Sequence, residues 1–267
     1  MENLGKAMKQ RLLDGELLFG MFFKFNVPQL AEMLGYAGMD FIIVDGEHGD
    51  CSYSEMQNIV RAANWAGMDA IIRVPNASEQ NILHAGDMGA QGIQVPNLNS
   101  AAEAADAVKK MRYYPSGNRG FAMTTRAARY TFSVKDQYIN YTNHELLSVI
   151  MVENQEMAAQ VPELCKNPDI DVLFIGTSDL SQALGIPGQP KHEKVQALAR
   201  KIISETIQGG KIPGIIAGDL EEAQMYVNLG VKYLAYGADI NMIAAKLREV
   251  VQDLHKIQIQ KRINSCV

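Results

Sequence analysis

Phe41-Ile-Ile-Val-Asp-Gly-Glu-His48 is an apolar run, β-branched at its centre, that ends in two carboxylates and an imidazole. A short apolar run bounded by Gly and acidic residues reads as a strand covered on both faces, as in a parallel sheet. Asp45, Glu47 and His48 then fall where that strand opens into a loop, the edge at which parallel α/β folds collect their chemistry. A single Asp or His after a strand is commonly a cap or a solvated loop residue. Three ionisable groups within four residues, directly after a buried run, weight the reading towards function.

Outward from this stretch the same design recurs. Strands are expected over Phe19–Phe25, Ala70–Pro75, Gly92–Pro96, Ser148–Glu153, Asp171–Gly176, Pro213–Ala217 and Tyr233–Gly237. Helical spacing separates nearly all of them, at Val27–Gly35, Ser54–Ala66, from Ser78 onward, Ser100–Met111, Glu156–Cys165, Lys194–Gln208 and Leu220–Leu229. Eight alternating β/α units in 267 residues predict a single-domain TIM (β/α)8 barrel spanning residues 1–267. An open doubly wound sheet would carry a Gly-x-Gly-x-x-Gly turn after a strand, and none is present. Arg112–Leu146 breaks the rhythm and reads as a functional loop or lid. The last helix, roughly Ile240 to Ile257, carries Ile243, Leu247, Val250, Val251 and Leu254 on one face, which suits packing on a neighbouring subunit.

Composition excludes several partners. A net charge of −5 from 25 basic and 30 acidic residues, with no dense basic block, argues against nucleic acid. No apolar run approaches membrane-spanning length, and Met1 to Glu16 lacks the apolar core of a signal peptide. Cys51, Cys165 and Cys266 have unrelated spacings and read as reduced thiols, so a soluble cytoplasmic protein is expected.

In a barrel, residues that end different strands converge at one mouth. The tips offer Asp45, Glu47 and His48, then Arg73, Glu153, Asp179, Asp219 and Asp239. Glu153 and Asp179 on adjacent strands form a candidate pair for a hard divalent cation, which needs only one or two protein carboxylates. Each also has a structural reading: Glu153 as a cap or loop residue, Asp179 as the N-cap of Leu180-Ser-Gln-Ala. Arg73 follows buried positions and must meet an anion, either Asp45 or Glu47 within the chain or the carboxylate of a substrate. Gly176-Thr-Ser-Asp179 is a turn whose backbone N–H groups could cradle an anion.

Together with Arg73-Val-Pro, Tyr114-Pro-Ser-Gly-Asn-Arg-Gly120, Arg126-Ala-Ala-Arg-Tyr130, Val152-Glu153, Phe174-Ile-Gly-Thr-Ser-Asp-Leu-Ser181 and Ala235-Tyr-Gly-Ala-Asp239, the opening stretch resembles the HpcH/HpaI aldolase family from about Phe19 to the last helix. The resemblance implies a metal-dependent class II pyruvate aldolase on a TIM barrel, cleaving 4-hydroxy-2-oxo acids to pyruvate and an aldehyde. By it, Glu153 and Asp179 ligate Mg²⁺ or Mn²⁺, with Co²⁺ also admissible, and His48 is the catalytic base. Arg73 holds the pyruvyl oxygens, Gly176, Thr177 and Ser178 receive the carboxylate, Asp87 pairs with His48, and Asp45 helps to orient it. It also implies a homohexamer, a trimer of dimers that exchange their last helix. The chain departs from the family where Met151-Val-Glu153 replaces Gln-x-Glu, where Gly-Thr-Ser-Asp replaces Gly-Pro-Ala-Asp, and where Phe22 replaces Trp; Lys24 has no counterpart. The aldehyde half of the substrate is expected to depend on Arg112–Leu146 and on a neighbouring subunit. A citrate-like or acyl-CoA lyase and an inert keto-acid-binding barrel are the alternatives.

Overall fold

A computed structural model describes residues 6–264, with side chains to residue 257; Cys266 lies outside the described residues. Eight parallel strands close on themselves in sequence order: β1 (Leu18–Phe23), β2 (Phe41–Asp45), β3 (Asp69–Arg73), β4 (Gly92–Val95), β5 (Leu147–Val152), β6 (Val172–Ile175), β7 (Ile212–Ala217) and β8 (Tyr233–Ala238). The chain is a TIM barrel. Each expected strand is present, within a residue or two at its ends.

Two apolar layers explain why nearly every strand position is buried. One set of side chains, including Phe41, Ile43, Ile71, Val149, Phe174 and Tyr233, fills the barrel interior. The alternate set, including Ile42, Val44, Ile72, Ile150 and Leu173, packs outward against the helices. Gly20 makes room for the interior layer, since a Cβ there would overlap the Phe41 ring at 2.3 Å.

Helix starts follow side-chain caps. Ser52, Ser78, Ser100, Asn154 and Asp219 each accept a first-turn N–H, and Ser52 with Glu55 closes a capping box. Asp219, counted above among the strand-tip charges, is therefore a helix cap, ion-paired to Lys191 at 2.6 Å. The helix expected over Glu156–Cys165 is two, Gln155–Ala159 and Val161–Cys165. Pro162 lacks the N–H that a continuous helix would require there.

Arg112–Leu146 is not an open loop. It contains a helix, Lys135–Glu145, and a short 3₁₀ turn, Arg129–Thr131, in which all three residues have positive φ. Its arginines fasten it to the barrel wall. Arg119 pairs with Asp87 at 2.6 Å, and Arg126 donates to the Met88 and Gly89 carbonyls at the end of the helix Glu79–Asp87. The segment borders a separate cavity of about 940 Å³ and contributes nothing to the lining of the mouth cavity described below. Within one chain, then, it does not shape the aldehyde end of the site. The last helix, Asp239–Asn264, extends beyond the barrel with Leu247, Val250, Val251, Leu254 and Ile257 exposed and Ile243 half-buried. Among the described residues, no helix is long and apolar enough to cross a membrane.

Candidate active site

The two-residue period of a strand selects which tips point inward. Interior positions Phe41 and Ile43 lead to Asp45, Ile71 leads to Arg73, Val149 and Met151 lead to Glu153, and Leu18 and Phe22 lead to Lys24. Charges therefore crowd the C-terminal mouth directly above the apolar interior.

Arg73 is the centre of this layer. Its Nε and Nη2 donate to the two Asp45 oxygens at 2.9 and 2.7 Å, and Nη1 lies 2.7 Å from Glu47 Oε2. Both pairings left open by the sequence are made. The guanidinium also lies 4.9 Å from the centre of the Phe22 ring. A buried guanidinium held by two carboxylates keeps its position with little freedom, which suits a fixed positive wall. Asp45 also accepts the backbone N–H groups of Glu47 and His48 at 3.1 Å each. Burial would raise the Asp45 carboxyl, but the hydrogen bonds and charge of Arg73, with the His48 N–H and Lys24, hold it below its ordinary value.

Asp45 thus fixes Arg73 and the backbone of the turn, and not the His48 ring as the resemblance had implied. The His48 side chain is 58% exposed, and Glu47 is its nearest acid at 4.0 Å. Nor does Asp87 meet His48 within the chain: its partner is Arg119. Asp239 serves the backbone as well, its carboxylate accepting the N–H groups of Lys24 and Phe25 at 2.9 to 3.0 Å.

Glu153 is 6% exposed and accepts the Asn97 N–H at 2.5 Å. Burial pushes its carboxyl up to about 7 despite that bond, and the charges of Asp179 and Glu47 add to the effect. Gly176 brings β6 close enough that a Cβ there would lie 3.2 Å from Glu153 Oε2. Asp179 is exposed, in the first turn of the helix Thr177–Ala183, whose N-cap is Gly176; it is not itself the cap. Asp179 thus lies near enough to disfavour a second negative charge, on Glu153, and among the described residues neither carboxyl is taken up by an ion pair.

That imbalance is the condition a cation relieves, so the residues fit a divalent metal. Among the described residues, no group of three or more His, Cys, Asp or Glu side chains is arranged to hold an ion. A hard cation at two carboxylates would complete its shell with water and ligand oxygens. Beside the pair lies a cavity of about 270 Å³, lined by Lys24, His48, Arg73, Met151 and the Gly176–Asp179 turn. Gly176 and Thr177 are buried and Ser178 is exposed.

One participant was not foreseen. Asn97, at φ 58°, gives its backbone N–H to Glu153 and its side-chain amide to Glu47 at 2.6 Å, tying the tips of β2 and β5 together. Its only sequence signal is an Asn directly after Val95-Pro96, a residue type that tolerates left-handed backbone at a strand end.

The model of the HpcH/HpaI aldolase/citrate lyase family matches residues 18–245. The chain belongs to this family. It is 30% identical over 261 residues to a hydroxypyruvate/pyruvate aldolase of Paraburkholderia phytofirmans, covering 95% of this chain and 99% of that protein. It is 31% identical over 242 residues to a 4-hydroxy-2-oxo-heptane-1,7-dioate aldolase of Klebsiella pneumoniae, covering 90% and 91% of the two chains. The crystal structure of an HpcH/HpaI aldolase/citrate lyase family protein from Burkholderia cenocepacia superposes with a TM-score of 0.88 at 28% identity, covering 93% and 98%. As a member of the HpcH/HpaI family, the chain is an enzyme, a carbon–carbon lyase of the aldolase type.

Proposed function

We propose that this HpcH/HpaI aldolase catalyses divalent-metal-dependent retro-aldol cleavage of a 4-hydroxy-2-oxo acid to pyruvate and an aldehyde. The observation that carries the reading is the place of Glu153: a buried carboxylate at the β5 tip, packed against Gly176 of the turn that lines the mouth cavity with Asp179, Arg73 and His48, where burial raises its carboxyl. A divalent cation, Mg²⁺ or Mn²⁺, held by Glu153 and Asp179 would act as a Lewis acid on the charge that develops at the keto group.

The chain's own residues account for the rest. Arg73, clamped by Asp45 and Glu47, offers its remaining N–H groups to the pyruvyl oxygens. The turn Gly176–Ser178 borders the position of the carboxylate. His48 takes the proton of the 4-hydroxyl, histidine being the side chain that exchanges protons nearest neutral pH. The C3–C4 bond breaks, the O–H electron pair becomes the aldehyde C=O, and the C3–C4 pair is left in the pyruvate enolate, which then takes a proton at C3. The apolar walls Phe22, Phe174 and Met151 keep the pocket partly dry, which strengthens each charge interaction.

A citrate-type lyase would use the same carboxylate pair, whereas a cavity of about 270 Å³ leaves little space for an acyl-CoA. Two further features belong to this reading. The exposed apolar stripe of the helix Asp239–Asn264 supports exchange of that helix within a homohexamer, and the free thiols of Cys51 and Cys165 suit the cytoplasm.

The test is a panel of 4-hydroxy-2-oxo acids, with citrate as comparator, incubated with Mg²⁺ or Mn²⁺ while pyruvate is followed. Pyruvate release that stops on adding EDTA and returns with the ion is expected, and His48→Ala is expected to lower kcat roughly 10²–10⁴-fold. Binding without turnover would make the barrel an inert receptor, and metal-independent release would remove Glu153 and Asp179 from the chemistry.

A further inference from the structure

The cation left over by the pyruvyl chemistry is Lys24. It stands at the next inward position after Phe22 on β1, and Asp239 pins its backbone N–H at 3.0 Å. Its side chain lines the mouth cavity with His48, Arg73 and Asp179. In the closed eight-strand order β1 lies opposite β5, so Lys24 and Glu153 rise from opposite sides of the mouth, with the Lys24 ammonium leaning towards the β2 tip.

Its nearest acid is Asp45, with Nζ 3.2 Å from Oδ2. A carboxylate offers about four lone-pair sites. Asp45 already accepts four donors: Nε and Nη2 of Arg73 and the backbone N–H groups of Glu47 and His48. Three of these fall on Oδ1 and one, from Nη2 of Arg73, on Oδ2; the Lys24 ammonium shares Oδ2 as an ion pair, and among the described residues its Nζ donates no side-chain hydrogen bond. The Lys24 side chain is 28% exposed against 6% for Arg73, so it is the more accessible of the two cations. The cavity volume lies just below the usual range for ligand pockets, roughly 300–1,000 Å³, which favours a short substrate.

We propose that Lys24 receives an anionic group on the aldehyde half, so that the enzyme acts on short 4-hydroxy-2-oxo acids carrying a second carboxylate close to C4. The inference rests on the aldolase reading above. With the pyruvyl half at the β5 and β6 tips, the departing half extends towards β1, where the ammonium N–H groups meet its carboxylate. The contact sets which aldehyde is accepted and takes no part in breaking the bond.

The test runs the reaction in the synthetic direction, with pyruvate as donor and Mn²⁺ present. The acceptors are two aldehydes of equal length, glyoxylate (anionic) and glycolaldehyde (neutral). A hydrogen bond to a charged group supports discrimination of about tenfold or more. In Lys24→Met the ratio of kcat/KM for glyoxylate to that for glycolaldehyde is expected to fall by that factor, and in Lys24→Arg to stay near the parent value. A ratio unmoved in Lys24→Met, or an equal loss on both acceptors, overturns the proposal. Metal-dependent exchange of the pyruvate methyl protons with D₂O, followed by NMR, involves no aldehyde. Exchange with an unmoved ratio rejects Lys24 alone; absence of exchange in the parent enzyme rejects the aldolase reading and this inference with it.

Discussion

Glu153 contributes to the pH dependence of stability of the metal-free protein, as does the partly buried Asp69, whose carboxyl burial pushes up to about 6. The Glu153 carboxyl moves from an ordinary 4.5 to about 7 in the fold, chiefly through burial, so the folded chain holds a proton that the unfolded chain has released. The stability linked to this group is fully present below about 4.5 and is lost as pH rises through about 7. Integrated over that window the loss is about 3 kcal/mol. Glu153→Gln carries no such proton. In EDTA, its Tm is expected to fall less than the parent's between pH 5 and pH 8, and parallel curves would contradict the assignment. Asp45, Arg73, Glu153 and Asp179 were legible in the sequence because each is a charge at or just past the end of an apolar strand. Asn97 was not, since its role depends on a positive φ and on a backbone N–H that any residue type carries. The partner that Asp87 has within the chain was not legible: nothing local in Gly86-Asp-Met-Gly89 announces that Arg119, far along the chain, closes on it.

At the scale of elements, strands were read well because runs such as Phe41–Val44 and Val172–Ile175 are buried on both faces and contain little that is polar. The helix Lys135–Glu145 escaped because its polar residues carry no clear apolar stripe, and it is held instead by particular bonds, such as Tyr113 to Tyr138 between hydroxyls at 2.9 Å. The C-terminal helix is the opposite case. Leu247, Val250, Val251 and Leu254 recur at helical spacing and are 42 to 60% exposed, a stripe with no cover in its own barrel. Covering each such side chain is worth about 1.5–3 kcal/mol. The double variant Leu247→Glu, Val251→Glu is expected to run as a monomer in size-exclusion chromatography with light scattering, where the parent runs as an oligomer. A monomeric parent, or an assembly unchanged in the variant, would contradict the exchange of this helix.

At the scale of the whole molecule, closing the sheet turns sequence distance into proximity. His48, Arg73 and Asp179 come from three separate parts of the chain and line one mouth above the buried apolar interior, with Glu153 packed against Gly176 at its edge. The architecture also divides labour: Asp45 and Glu47 hold Arg73, Asn97 ties β2 to β5, and Asp239 fixes the β1 tip that carries Lys24. What the sequence could not convey is how these charges are shared, because a carboxylate's partners are settled only when every neighbour is placed. The central claim is that Glu153 and Asp179 jointly hold one divalent cation, and calorimetric titration of Mn²⁺ into metal-free protein at pH 8 tests it most directly. One ion per chain is expected in the parent and in His48→Ala, with binding lost in both Glu153→Gln and Asp179→Asn; undiminished binding in those two variants, or none in the parent, would contradict it.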